Sequence, residues 1–294
     1  MEPSYKLTHR IKDDLYEAEQ LGAYDLYLQA GPRVFRLCVT DPRKNRCLLL
    51  EDYTLENVSS TAQQIALLEN IYEDHHVLKA GFWRSIRLAV KSSDFSLVPV
   101  SLFDKAYAKD YLALSSKRIG TKGTEIFYTR QSSTDAINIF AADQALTDWF
   151  RKQYPGKDLR VVHHTTSLIE GILNINTTNN IEPSVSLLVE EKQMTVIVRQ
   201  GRQLLFCNSF YYSTPEDLLY FVLFVFDQLK LNQETTQVSL LGDIAPDAAA
   251  FARLRQYIRR VNFGRKPSSM YFGYLFDEIP EHRYFDLYSM HLCD

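Results

Sequence analysis

The spacing of apolar residues changes repeatedly along the chain, and each change marks an element. Leu26 to Cys38 is apolar at short period on both sides of a break at Gln29-Ala30-Gly31-Pro32, and Arg46 to Tyr53 resumes that pattern, so three antiparallel strands are predicted. Val58 to His75 places Ile65, Leu68 and Ile71 or Tyr72 on one helical face, and Ile86 to Val90 returns to strand. Ala106, Tyr107, Tyr111 and Leu114 share a helical face within 104–114, and 117–124, with its two glycines, reads as a loop. Glu125 to Arg130 and Ala136 to Ala141 alternate as strands. Asp143 to Tyr154 is helical up to Pro155-Gly156, Leu159 to His163 is a strand and Ser167 to Leu173 a helix. The polar run 174–183 is the best boundary, dividing the chain into expected units 1–180 and 181–294.

Beyond it, Val185 to Val189, Thr195 to Gln200 and Gln203 to Phe210 form a meander with a turn at Gln200-Gly201-Arg202. Thr214-Pro215-Glu216-Asp217 then supplies a capping hydroxyl, a proline at the first helical position and acid in the first turn, opening a helix to Leu229 or Lys230. Val238 to Leu241 is a buried strand, Asp247 to Val261 a helix, and Pro280 to Leu292 a short helix starting at its proline. Laid side by side, the halves repeat one order. Leu28 falls over Leu188, the helix 58–72 over 216–229, the strand 86–90 over 238–241, and the helix at Asp104 over that at Asp247. The expected class is α/β with mixed sheets: two βββαβα lobes facing each other across a cleft.

That plan resembles the actin-like ATPase and sugar-kinase superfamily, whose lobes have the RNase H-like fold, over most of residues 21–261. The second lobe, with its hairpin from Val196 to Phe206 leading to a helix, looks most like cytoplasmic pilus-assembly and secretion-platform members. The tail from Phe276 to Leu287, close to Cys293, resembles an uncharacterised Bacteroidetes family of the same fold with no assigned activity. The superfamily resemblance implies ATP with Mg²⁺, held by an Asp-x-Gly in the first hairpin of each lobe and by a strand ending in Gly-Gly. The carboxylate holds the metal through water, and the glycine lets backbone N–H groups close on phosphate.

Here the first hairpin keeps Gly31 but has Gln29 where the carboxylate should stand, and Pro32 removes an N–H donor, while Arg33 remains able to bind an anion. In the second, counted back from Thr195, the Asp position falls on Leu188 and the Gly position on Glu190, with Glu191 beside it, so a phosphate would meet like charge. The third, Val238 to Asp243, keeps Gly242 and replaces the second glycine by Asp243. One partial match in three implies a kept fold and a lost nucleotide site. The expectation is therefore a scaffold or adaptor with no cofactor and no catalytic residue. The alternative is a divergent ATPase or small-molecule kinase using Mg-ATP, rebuilt on Glu190, Glu191 or Asp243.

Composition narrows this further. With 33 Lys and Arg against 36 Asp and Glu, a net charge of -3 and 46% apolar residues, the chain has neither the footprint of a nucleic-acid binder nor the make-up of a disordered one. Its nine-residue apolar run from Leu218 to Phe226 is too short to cross a membrane, and the acidic first residues are no secretory or transit signal. Cys38, Cys47, Cys207 and Cys293 are scattered, which argues for reduced thiols in the cytoplasm and against a zinc site or disulfide framework. His75-His76 and His163-His164 lack a third ligand at usable spacing, and as consecutive strand residues His163 and His164 should diverge. Tyr and Phe cluster at 210–212, 271–276 and 284–288, where they would either close the core between lobes or present a surface for a protein partner or self-association.

Overall fold

The computed structural model describes residues 2–115, 123–175 and 182–293, so most of the loop expected at 117–124 and of the boundary at 174–183 lies outside the described residues. The first lobe is built on a six-stranded sheet in the order β1-β4-β3-β2-β5-β9, comprising β1 (Ser4–Lys12), β2 (Asp25–Gly31), β3 (Val34–Asp41), β4 (Arg46–Glu56), β5 (Ser85–Val90) and β9 (Leu159–His163). β2, β3 and β4 form an antiparallel meander, while β5 and β9 join in parallel. Helices α1 (Thr61–Glu73) and α4 (Gln144–Gln153) cover one face, burying Leu28, Phe35, Leu37, Leu68 and Phe150 together, and the short α2 (His76–Lys79) closes the loop after α1.

The second lobe repeats this with β10 (Ser184–Val189), β11 (Gln193–Gln200), β12 (Gln203–Tyr211), α6 (Pro215–Gln228), β13 (Gln237–Gly242), α7 (Ala249–Tyr257) and β14 (Arg260–Phe263), in the sheet order β12-β11-β10-β13-β14. The expected pair of facing lobes is what the chain forms. α6 starts as the sequence requires: Thr214 accepts from the Asp217 N–H and Asp217 from the Thr214 N–H.

One element was not predicted, and three expectations need correction. The charged N-terminal segment is strand β1, whose Tyr5, Leu7, His9 and Ile11 alternate with polar residues, paired antiparallel with β4. The helix expected at 247–261 ends at Tyr257, and Arg260–Phe263 forms β14 parallel to β13, because Val261 is buried between two exposed neighbours. The counterpart of α7 is α4, not the helix at Asp104. That helix, α3 (Ala108–Ala113), belongs to an insertion with its own sheet of β6 (Phe95–Pro99), β8 (Ala136–Asp143) and β7 (Thr124–Arg130). Lastly, the C-terminal helix begins at Phe285 rather than Pro280: α8 (Phe285–Tyr288) follows Tyr284, whose φ of 58° breaks the helical path.

Residues 264–293 tie the lobes together. They leave β14, cross to the first lobe and cover the other face of its sheet, where Tyr271 exchanges backbone bonds with Asn45 (2.7 Å) and Cys47 (3.0 Å). Phe276, Ile279, Tyr284, Leu287 and Tyr288 are buried there against Tyr27, Cys38 and Leu50. Most of the C-terminal aromatic cluster therefore closes the core, leaving Tyr271 and Tyr274 exposed. α8 packs on α5 (His164–Leu173), every residue of which is buried, and a side chain at Gly171 would overlap Ser289 and Phe285. This close crossing packs the last helix of each lobe against the other.

Candidate functional site

The cleft between the two hairpins holds a cavity of about 770 Å³. Arg36 and Lys91 reach it from the start of β3 and the end of β5, Glu190 from the turn after β10, Asp243 from the end of β13, and Arg283 from the tail, while Gln29 of β2 is buried behind Arg36. Lys91 is buried with its Nζ 2.9 Å from Asp286 Oδ2 and 2.7 Å from Glu190 Oε1. Arg36, also buried, donates to Asp52 (2.9 Å), Gln29 (3.2 Å) and Asp243 (3.1 Å), and Asp243 accepts again from Arg283 at 2.6 Å. At the rim, Arg33 donates to both carboxylate oxygens of Glu191.

Of the residues predicted from sequence, Gln29, Arg33, Glu190 and Asp243 take part in these contacts. Gln29 is fully buried and its amide is committed to protein groups on both sides: Nε2 donates to Asp286 (2.8 Å) and Oε1 accepts from Arg36. Gly31 lines the cavity, with its carbonyl taken by the Gln64 side chain at 2.8 Å. Thr195 turns away to Ser209 (2.7 Å), and the Gly242 N–H donates to the His282 carbonyl (2.9 Å), so the tail sits on the strand end that the resemblance assigns to adenosine. Glu190, Glu191 and Asp243 do line one cavity, yet each is neutralised by a first-lobe cation. Arg36, Lys91 and Asp286 were missed by sequence reasoning. Their signal was a single charge inside an apolar run, VFRLCV and YFDLY, or at the end of one, LAVK.

Burial sets the electrostatics and the charge pairs decide the direction. For Asp286, burial raises the pKa, but Lys91, His164 and Arg36 outweigh it and hold the carboxyl below the usual range. For Lys91, burial lowers the pKa, while Asp286 and Glu190 more than restore the charged form. Asp243 is kept ionised by Arg36 and Arg283 against its burial. A phosphate approaching Arg33, Arg36, Lys91 or Arg283 would have to displace a carboxylate already bound there.

His163 and His164 do not diverge as expected. β9 ends at His163 and α5 begins at His164, so both rings turn toward the Ser92 carbonyl, with Nε2 at 3.1 and 3.2 Å. His163 Nδ1 accepts from the Thr165 N–H as the cap of α5, which leaves Nε2 to donate and unable to act as a base for the Ser92 hydroxyl. Burial, reinforced by Lys91, pushes His164 down to about 4, and burial next to His164 lowers His163. A histidine of depressed pKa favours the unfolded chain once the pH falls below the unfolded value of about 6.5, and the loss is complete near the folded value. Stability should therefore fall as pH drops from about 6.5 to 4, by roughly 3 kcal/mol for His164 alone. Urea denaturation across that range should show the slope, and His164→Gln should make it shallower, leaving the share of His163; an equal slope in the variant would contradict the assignment.

The four thiols are free, and burial raises Cys47 and Cys207 well above the ordinary thiol range. Among the described residues no group of three or more His, Cys, Asp or Glu could hold a metal ion, and no helix is long and apolar enough to cross a membrane.

The family model described as "Protein of unknown function (DUF3822)" matches residues 13–261, most of the chain. The chain belongs to the DUF3822 family. Among solved structures, a Bacteroides thetaiotaomicron protein described as having an actin-like ATPase fold and unknown function is 19% identical, covering 95% of this chain and 100% of its own, with a TM-score of 0.80. A structure of the PilM-PilN type IV pilus biogenesis complex is similar at 12% identity over 92% of this chain and 98% of that one, TM-score 0.61. The ethanolamine utilization protein EutJ from Carboxydothermus hydrogenoformans is similar at 10% identity over 97% and 93%, TM-score 0.51. These likenesses show that this DUF3822 member has the actin-like ATPase fold. No curated protein matches it in sequence.

Proposed function

We propose that the protein is a non-catalytic adaptor of actin-like fold, working in the cytoplasm and binding a protein partner, with its lobes joined by its own side chains where a nucleotide would join them. One observation carries this reading: Lys91, Arg36 and Arg33, the first-lobe cations facing the cleft, are each already paired with a carboxylate of the second lobe. The likeness to a structure of PilM in complex with PilN supports the partner-binding half, and the free thiols support the compartment.

Millimolar Mg-ATP, Mg-ADP or Mg-GTP is expected to leave the melting temperature unchanged within about 1 °C. Saturation to about 100 times Kd adds roughly 2.7 kcal/mol, so a shift of several degrees would overturn the reading. The competing reading, an ATPase or kinase rebuilt on Glu190, Glu191 and Asp243, has their shared cavity in its favour. It predicts Mg-ATP hydrolysis that Asp243→Asn abolishes.

A further inference from the structure

We propose that the protein forms a two-fold dimer in which β12 pairs antiparallel with β12 of a second copy, an inference independent of the fate of the nucleotide cleft. β12 is the last strand of the second-lobe sheet, so one of its sides has no strand partner among the described residues. Proteins protect such edges with charge, proline or a cover. Each other edge strand here has a guard: Lys6, Arg10 and Lys12 in β1, Arg160 in β9, Arg260 in β14, Glu125 and Arg130 in β7, and Pro99 in β6. β12, Gln203 to Tyr211, has neither charge nor proline in nine residues.

The backbone fixes which groups face outward. The Tyr212 N–H donates inward to the Lys192 carbonyl at 3.1 Å, so the alternation of an antiparallel ladder aims the N–H and C=O of Cys207, Ser209 and Tyr211 away from β11. At Ser209 the outward N–H takes the oxygen of its own neighbour Asn208 at 2.9 Å, a side-chain substitute for a missing strand. An aromatic stripe runs beside this edge: Phe206 lies against Phe210, Phe210 stacks on Phe221 of α6, and Tyr220 and Phe224 follow on α6 at 64% and 45% exposure.

The occupant that fits is β12 itself. A two-fold axis at Cys207 opposes outward-facing residues to outward-facing residues, with no like charges in contact. It also carries the exposed Arg202, in the turn before β12, to the end of the partner strand that leads into the acidic start of α6, where Asp217 caps the helix and the exposed Glu216, held by Arg253 at 2.9 Å, can accept a second cation, and it places the two aromatic stripes on the same face of a continuous sheet.

Sedimentation equilibrium of the full chain between about 1 and 100 µM tests this. A species of twice 34.1 kDa is expected, with slower hydrogen exchange at the Cys207 and Tyr211 amides as concentration rises. Asn208→Lys, at an exposed side chain beside the axis, and Phe224→Lys, on α6, should each give monomers with unchanged circular dichroism. A wild type monomeric at every concentration overturns the proposal, even if it captures an extended peptide; so does a dimer that both variants leave intact.

Discussion

Lys91→Ala is expected to destabilise the protein by about 3–5 kcal/mol, the range for breaking a buried ion pair by removing one partner. The ammonium is buried 2.9 Å from Asp286 and 2.7 Å from Glu190. Without it, Asp286 is left with the Gln29 amide, the His164 ring 3.9 Å away and the field of Arg36, and Glu190 with no cation bonded to it among the described residues. Asp286 itself adds a pH signature. Its folded pKa is depressed, so its contribution is present above the unfolded value of about 4 and disappears as pH falls through the folded one. The deficit of the Lys91 variant should shrink in the same acid range. Pairing Lys91→Met with Asp286→Leu should recover much of the loss, since apolar groups of similar volume can replace a buried pair at little cost. Urea denaturation measures all three; a deficit under about 1 kcal/mol for the single variant would mean that water solvates the site.

Gly242→Ala should cost about 2–4 kcal/mol. Gly242 has a φ of 89°, a conformation that a residue with a Cβ adopts only at a penalty of about 1–2 kcal/mol, and its added carbon would overlap the Val189 carbonyl of the neighbouring strand. The position matters beyond strain, because the Gly242 N–H holds the His282 carbonyl and Asp243, one residue on, holds Arg283. The variant should therefore loosen the tail before the lobes melt. Limited proteolysis read by mass spectrometry should cut first within 264–284, and a cleavage pattern identical to wild type would separate strain from docking.

The same glycine shows how far the sequence could be read. Residues 238–243 were recognisable as a nucleotide strand with one change, but not that the surviving glycine now serves a peptide carbonyl. The lobe order, the capped start of α6 and the broken motif at Gln29 were legible because they depend on neighbours in sequence: a period, a cap, a turn. β14 was absorbed into the preceding helix because four residues are too few to establish a period. The insertion carrying β6, α3, β7 and β8 disguised α4, so the lobes were aligned on the wrong helix. Arg36, Lys91 and Asp286 eluded the reading for a different reason. Each is one charge within or at the end of an apolar run, and only the folded chain shows that the charges of the two lobes neutralise each other.

The tail that crosses back to the first lobe also dictates an order of events. Its bonds join residues far apart in sequence, Gln29 with Asp286 and Arg87 with Met290, separated by 257 and 203 positions. Contacts of such high contact order form late, since closing the loop costs entropy before any of them forms. During synthesis the first sheet must therefore wait with Tyr27, Cys38 and Leu50 uncovered until the whole second lobe has followed it. That interval is the time at which a chaperone, or a misfolded neighbour, would find this protein most accessible.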